Sequence, residues 1–169
     1  MKIFGVTGWK NSGKTTLMER LVATFADSGY RVATVKHAHH SFDVDQPGSD
    51  SFRHRAAGAF ETVVVSSRRW ALMHELREGE DEPALSEILA KLSPCDLVLV
   101  EGFKNEPHPK IECRRLEARD RTPLAGTVTG IVAVASDHPV TDSLPAFDLD
   151  DTEAIASFIA AYLHLKSTL

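Results

Sequence analysis

Residues Gly8 to Thr15 read Gly-Trp-Lys-Asn-Ser-Gly-Lys-Thr, a complete G-x-x-x-x-G-K-[ST] phosphate loop. The apolar run Ile3-Phe4-Gly5-Val6 before it reads as a short buried strand. After it, Leu17, Leu21, Val22 and Phe25 fall on one face of a helix. Strand, glycine-rich loop and amphipathic helix in this order are the context in which such a loop works. Glycines let the backbone curl around phosphate oxygens, and the amides at the helix start point their positive ends at the anion. Lys14 is expected to reach the β- and γ-phosphates, and Thr15 to offer its hydroxyl to Mg²⁺. Gly8, Lys10, Asn11, Ser12, Gly13 and Thr16 complete the expected contact set for a nucleoside triphosphate.

Around this loop, strands and helices alternate. The loop helix should run from Lys14 to Ser28, with Gly29 as its stop. Arg31–Lys36 is a second strand, and Ser49–Ala57 a short helix ended by Gly58. Thr62–Ser66 is a β-branched strand, and alternation from Trp70 to Leu76 indicates another. Leu85, Ile88, Leu89 and Leu92 form the inner face of a helix. The continuous run Leu97–Val100, with an acid at each end, is typical of a central parallel strand. Lys110–Leu116 and Ile131–Ala135 are further strands, Leu144–Leu149 an edge strand, and Asp120–Gly130 between them is rich in turns. Asp150 and Glu153 suggest a capping box for a last helix with Ile155, Phe158, Ile159, Tyr162 and Leu163 inside. The expected fold is a three-layer α/β, P-loop NTPase-like domain with a mainly parallel sheet, one nucleotide-binding domain over residues 1–169.

Charge narrows the partners. The formal net charge is −5, which argues against a general nucleic-acid binder. Arg114, Arg115, Arg119 and Arg121 form a basic cluster, but Glu112, Glu117 and Asp120 interleave with it, so it reads as a solvated mixed face. Cys95 and Cys113 make no metal-ligand motif and suit a reduced protein. The chain opens directly into its first strand, so no signal peptide is expected, and no apolar run in it approaches membrane length. A cytoplasmic protein with no membrane role is expected.

Four further places carry chemistry. Glu101 ends a hydrophobic strand before Gly102, the usual place for the carboxylate that holds Mg²⁺ or its water. Asp50 is expected as a further Mg²⁺ ligand beside Thr15 and Glu101. Lys36–Asp45 carries His37, His39 and His40 with two carboxylates; it reads as a phosphate- or partner-contacting loop, a transition-metal site, or a plain polar loop. Asp137 follows the strand at Ile131. There it either accepts from guanine N1–H and the exocyclic amine or serves as a turn residue before His138-Pro139.

These residues together resemble a known family. The loop Gly8–Thr16, the segment Lys36–Asp45, Pro47–Ser51, Ala57-Gly58-Ala59, Arg69–Met73 and Leu99–Lys104 are similar, in order from Ile3 to Asp137, to the MobB family of molybdopterin-guanine dinucleotide biosynthesis adaptor proteins. The resemblance implies GTP binding with at most slow hydrolysis, a homodimer, and support for the guanylyltransferase MobA, which joins GMP to the molybdenum cofactor. Ala38 and Ser49 depart from the more polar residues expected there, and Lys10 lies one place later than the second loop lysine of dimeric nucleotide switches. Two other classes fit the loop as well. One is a small-molecule kinase with its acceptor at His37–Asp50, the other a metal-delivering GTPase using the histidines.

Overall fold

A computed structural model describes residues 1–38, 42–141 and 143–166. The elements follow as β1 (Lys2–Thr7), α1 (Lys14–Asp27), β2 (Val32–Lys36), α2 (Asp50–Ala56), β3 (Glu61–Val65), β4 (Trp70–His74), α3 (Leu85–Lys91), β5 (Leu97–Glu101), β6 (Lys110–Arg114), β7 (Ile131–Ser136), β8 (Ala146–Asp148) and α4 (Thr152–Leu163). The chain forms two compact units, Met1–His37 with Leu89–Leu169, and Ala38–Ile88.

The first unit is built on a six-stranded sheet in the order β2-β5-β1-β6-β7-β8, every pairing parallel. All five residues of β5 are buried, as a strand covered on both faces requires. β1 lies between β5 and β6, with Phe4 opposite Leu99 and Val6 opposite Ile111. Phe4, Val6, Leu97, Leu99, Ile111 and Cys113 point to one face and meet Leu17, Leu21 and Phe25 of α1 and Ile155 and Ile159 of α4. Burying each large apolar side chain contributes roughly 1.5–3 kcal/mol, so this layer is the main stabilising element. α1 ends as its sequence suggests. Ser28 is the C-cap, and Gly29 takes φ +84° where a side chain would be strained.

Alternation along β6 sends Lys110 and Glu112 to the opposite face, and both are fully buried. Each charge is spent on irregular chain. Lys110 Nζ donates to the carbonyls of Lys104, Glu106 and Thr129. Glu112 accepts from the amides of Leu124 and Ala125 at 2.8 and 2.9 Å and from Arg114 at 2.8 Å. A buried charge left unpaired would cost several kcal/mol, so these contacts fix the loops that satisfy them.

One expectation needs correcting. The cap of α4 is Asp151, whose carboxylate accepts from the Ala154 amide at 3.0 Å. Asp150 sits one residue earlier in a turn closed on Asp148, and its carboxylate pairs with Arg20 at 2.6 Å. Strands β3 and β4 do not extend the parallel sheet. They pair antiparallel with each other, Val63 opposite Leu72 and Val65 opposite Trp70, as a separate hairpin in the second unit. There Arg55 of α2 binds Asp43 and Glu75, both at 2.8 Å, and Asp45. These carboxylates hold its guanidinium charged, Asp45 most strongly, and lock the chain before α2 to the helix and to the end of β4.

Where β1 passes the 103–109 loop, only glycine fits. A Cβ on Gly5 would lie 2.6 Å from His108 Nε2 and 2.8 Å from Lys110 Cβ. Both ring nitrogens of His108 are buried without a hydrogen-bond partner among the described residues. Burial, aided by the nearby Lys110 charge, lowers its pKa from 6.5 to about 4. The native imidazole is therefore neutral while the unfolded one takes up a proton. Its contribution is fully present above pH 6.5 and is lost as the pH falls toward 4. Urea midpoints measured between neutral pH and pH 4 should fall, and His108→Leu should flatten that decline; parallel curves would show that His108 does not titrate in this way.

Candidate nucleotide-binding site

β1 delivers the chain to the C-terminal edge of the sheet at Thr7, and the next six residues, Gly8 to Gly13, turn it into α1. The turn needs left-handed backbone at Gly8 (φ +144°), Asn11 (φ +65°) and Gly13 (φ +90°). Space is as restrictive as angle. A Cβ on Gly8 would stand 2.5 Å from the Cys113 carbonyl oxygen, and one on Gly13 would stand 2.9 Å from Leu149 Cδ2. Gly13 caps α1 without a side-chain hydrogen bond, and the first turn carries no acidic residue. The amides of that turn and the positive end of the helix dipole thus face outward, ready for an anion.

They face a cavity of about 410 Å³ lined by Asn11, Ser12, Gly13, Lys14, Thr15, Thr16, Arg115 and Glu117. The hydroxyls of Ser12 and Thr7 are buried without a partner among the described residues. An unpartnered buried hydroxyl is costly unless a ligand or water completes it, and Ser12 lines this cavity.

Lys14 is partly buried and its Nζ donates to the Trp9 carbonyl at 2.6 Å, a contact within the loop itself. Burial lowers its pKa, the charges of Lys104 and Lys36 add to the lowering, and Cys113 and Glu101 oppose it. Glu101, 8% exposed at the end of β5, stands 3.4 Å from the Thr15 hydroxyl and 3.4 Å from Lys36 Nζ. Lys14 and Lys36 therefore share the one Glu101 carboxylate, an excess of positive charge matched to a polyphosphate. Hard oxygen ligands from one carboxylate and one hydroxyl suit Mg²⁺, which takes few protein ligands and fills its octahedron with phosphate and water. Trp9 braces the loop from outside: its indole N–H donates to the Thr122 carbonyl at 2.7 Å, and Lys104 Nζ sits 4.0 Å over its ring.

Asn11 to Thr16 thus gather on one cavity, whereas Gly8 and Lys10 are not among its lining residues. Asp137 lies just beyond β7, with its carboxylate accepting from the Leu116 amide at 3.0 and 3.3 Å and bonded to His138 Nδ1 at 2.8 Å. Burial raises its pKa, but His138, the Leu116 amide and Arg115 outweigh that and hold it below the usual range. His37 follows β2, where its ring packs 4.8 Å from Phe103 beside the left-handed Gly102. Asp50 opens α2 in the second unit, exposed and 3.9 Å from Arg53. His39 and His40 lie outside the described residues.

The basic cluster contributes to the site, which its mixed charge does not announce. Arg115 and Glu117 line the cavity, and Glu112 is fully buried, so the segment is not a uniform solvated face. The usable signal was position. Arg115 directly follows a parallel strand, at the sheet edge where such folds bind ligands.

A parallel α/β sheet whose first strand runs through a glycine cradle into a helix, with lysine, threonine and a strand-end carboxylate converging there, defines a P-loop nucleotide-binding protein. The model of the family described as Molybdopterin guanine dinucleotide synthesis protein B, MobB, matches residues 3–137, and the chain belongs to that family. It is 38% identical over 167 residues to the molybdopterin-guanine dinucleotide biosynthesis adapter protein of Escherichia coli, covering 98% of this chain and 95% of the relative. It is 38% identical over 162 residues to the protein of the same name from Haemophilus influenzae, covering 96% and 89%. Among solved structures, the MobB homolog from Bacillus stearothermophilus superposes with a TM-score of 0.74 at 30% identity, covering 98% of this chain and 100% of that one.

Lys14→Ala should lower nucleoside triphosphate affinity by at least about a hundredfold, because a charge-assisted contact to the phosphates is lost. Its stability should change by no more than about 1 kcal/mol, since the ammonium supports no core packing. A binding titration beside a thermal melt measures both; near-normal affinity in a folded variant would rule out the phosphate-loop reading.

Proposed function

We propose that this protein is a GTP-binding adaptor in molybdenum cofactor biosynthesis, assisting the guanylyltransferase that joins GMP to the cofactor. The observation that carries the reading is the phosphate cradle of Gly8–Thr16 with Glu101 beside Thr15, in a chain whose relatives are named for molybdopterin-guanine dinucleotide biosynthesis. In this reading the triphosphate lies on the first turn of α1, Lys14 on its β- and γ-oxygens. The Thr15 hydroxyl and Glu101 carboxylate hold Mg²⁺, which neutralises phosphate charge when bound. Asp137 at the end of β7 accepts from the guanine edge. Hydrolysis is at most slow, because the bound state is what the partner recognises. The protein works in the cytoplasm as one nucleotide-binding domain.

If GTP and the guanylyltransferase are linked through this chain, each must tighten the other's binding by the same factor. GTP titrations with and without the guanylyltransferase should show that coupling. Their Mg²⁺ dependence should weaken in Glu101→Gln, which keeps shape and removes charge. Identical GTP affinity in the two titrations counts against the adaptor reading, and identical Mg²⁺ curves make Glu101 a structural strand end.

A homodimer is part of the same proposal. The β3–β4 hairpin exposes Val63 (61%), Val65 (74%) and Trp70 (66%), with Leu72 also exposed. Contiguous apolar side chains on a two-stranded ribbon call for a covering surface, and an isologous partner supplies the same residues in return. Sedimentation equilibrium over a wide concentration range should give the dimer mass, and Trp70→Asp should shift the population to monomer. A wild-type protein that stays monomeric throughout refutes the interface.

A further inference from the structure

The cavity at the phosphate loop has a second wall. It is formed by Arg115 and Glu117, which flank a turn closed by the Ala118 amide on the Arg115 carbonyl at 3.0 Å. Arg115 leaves β6 at the C-terminal edge of the sheet, next to β7, which Asp137 directly follows. Its Nε stands 3.8 Å from Asp137 Oδ2, beyond hydrogen-bond reach but close enough to keep the two groups side by side. The Arg115 side chain is partly buried, and its neighbours are held on both sides, the Arg114 guanidinium by Glu112 and the Leu116 amide by Asp137. Arg115 lines the cavity that holds the phosphate loop, and the Asp137 carboxylate stands beside it, so a donor lies next to two acceptors.

That order is the complement of guanine. Along its pairing edge guanine presents an acceptor, O6, then two donors, N1–H and the exocyclic amine. Adenine presents a donor where guanine has O6 and an acceptor where guanine has N1–H, so both contacts would be mismatched. We propose that Arg115 is a specificity-determining residue for the nucleobase, donating to guanine O6 while its neighbour Asp137 accepts from N1–H and the amine. This rests on the guanine reading of Asp137 given above and extends it to the half of the base that a carboxylate cannot read. Arg115 is then neither a solvated surface charge nor a phosphate ligand.

Competition titrations with GTP, ITP and ATP on the wild type, Arg115→Ala, Arg115→Lys and Asp137→Asn test it. ITP keeps O6 and N1–H but lacks the amine. The wild type should prefer GTP to ATP. Arg115→Ala should reduce the GTP-to-ATP affinity ratio about tenfold and leave the GTP-to-ITP ratio as in the wild type, because both bases lose the same O6 contact. Asp137→Asn should lower the GTP-to-ITP ratio as well, since the amine loses its acceptor. Arg115→Lys retains the charge and should recover part of the preference, which keeps the test decisive if the alanine variant folds poorly. A wild type without preference overturns the guanine reading and this inference together. A wild type that prefers GTP, with the full preference kept in both Arg115 variants, overturns the Arg115 assignment alone. Equal losses of GTP and ATP make Arg115 a phosphate ligand, and a falling GTP-to-ITP ratio in Arg115→Ala makes it only a support for Asp137; either outcome overturns the proposal.

Discussion

Between Thr7 and Lys14 the backbone must reverse in a space bounded by the Cys113 carbonyl on one side and Leu149 on the other. Both boundaries belong to strands or strand ends of the same parallel sheet, so the loop's shape is inherited from the core. Phe4 and Val6 seat β1, Leu17 and Leu21 seat α1, and the loop is the only path between two fixed ends. A methyl group at Gly8 or Gly13 would have to displace backbone or a packed leucine. The site therefore comes with the fold, and its preorganisation draws on the burial energy of the helix layer.

The other face of the sheet supplies the second half of the site by different means. Here two buried charges on one strand, Lys110 and Glu112, gather irregular chain onto the sheet. Lys110 fixes the turn that carries Lys104 over Trp9, while Glu112 fixes the far end of the segment that begins with Arg115. Hydrogen bonds from a charge are directional in a way that apolar contacts are not, so they position loops where packing alone would leave a range of arrangements. The residues that meet the ligand on this side stand on loops, but the loops are tied to β6.

Much of this was legible from residue order. The glycine loop, the apolar β5 ending in Glu101 and the amphipathic α1 are local patterns whose physics is complete within a few residues, and the parallel sheet follows from their alternation. Four features were not legible, for separate reasons. In Lys110–Arg114, charges alternating with apolar residues suggest a strand with one wet face, and only the tertiary placement of carbonyls and amides shows why Lys110 and Glu112 are dry. The hairpin β3–β4 has the composition of a sheet strand pair, and nothing in Val63–Val65 states which sheet it joins. Two adjacent aspartates precede α4, and which of them caps it depends on the turn at Asp148. Arg115 was hidden by its own neighbours, since a run of mixed charge looks the same whether it faces water or a ligand.

Cys113 lies directly beneath the phosphate loop, its carbonyl against Gly8 and its thiol fully buried. Burial pushes that thiol to a pKa of about 12, with Lys14 pulling the other way and Glu112 and Glu101 adding to the rise. In the closed loop it is both shielded and almost entirely protonated, and so inert to electrophiles at neutral pH. Reaction has to wait for an excursion that lifts the loop off β6, and the modification rate then measures how often that excursion occurs. Whatever settles on the outer surface of the loop slows the chemistry of an atom it never touches, which turns a buried sulfur into a clock for the breathing of the phosphate cradle.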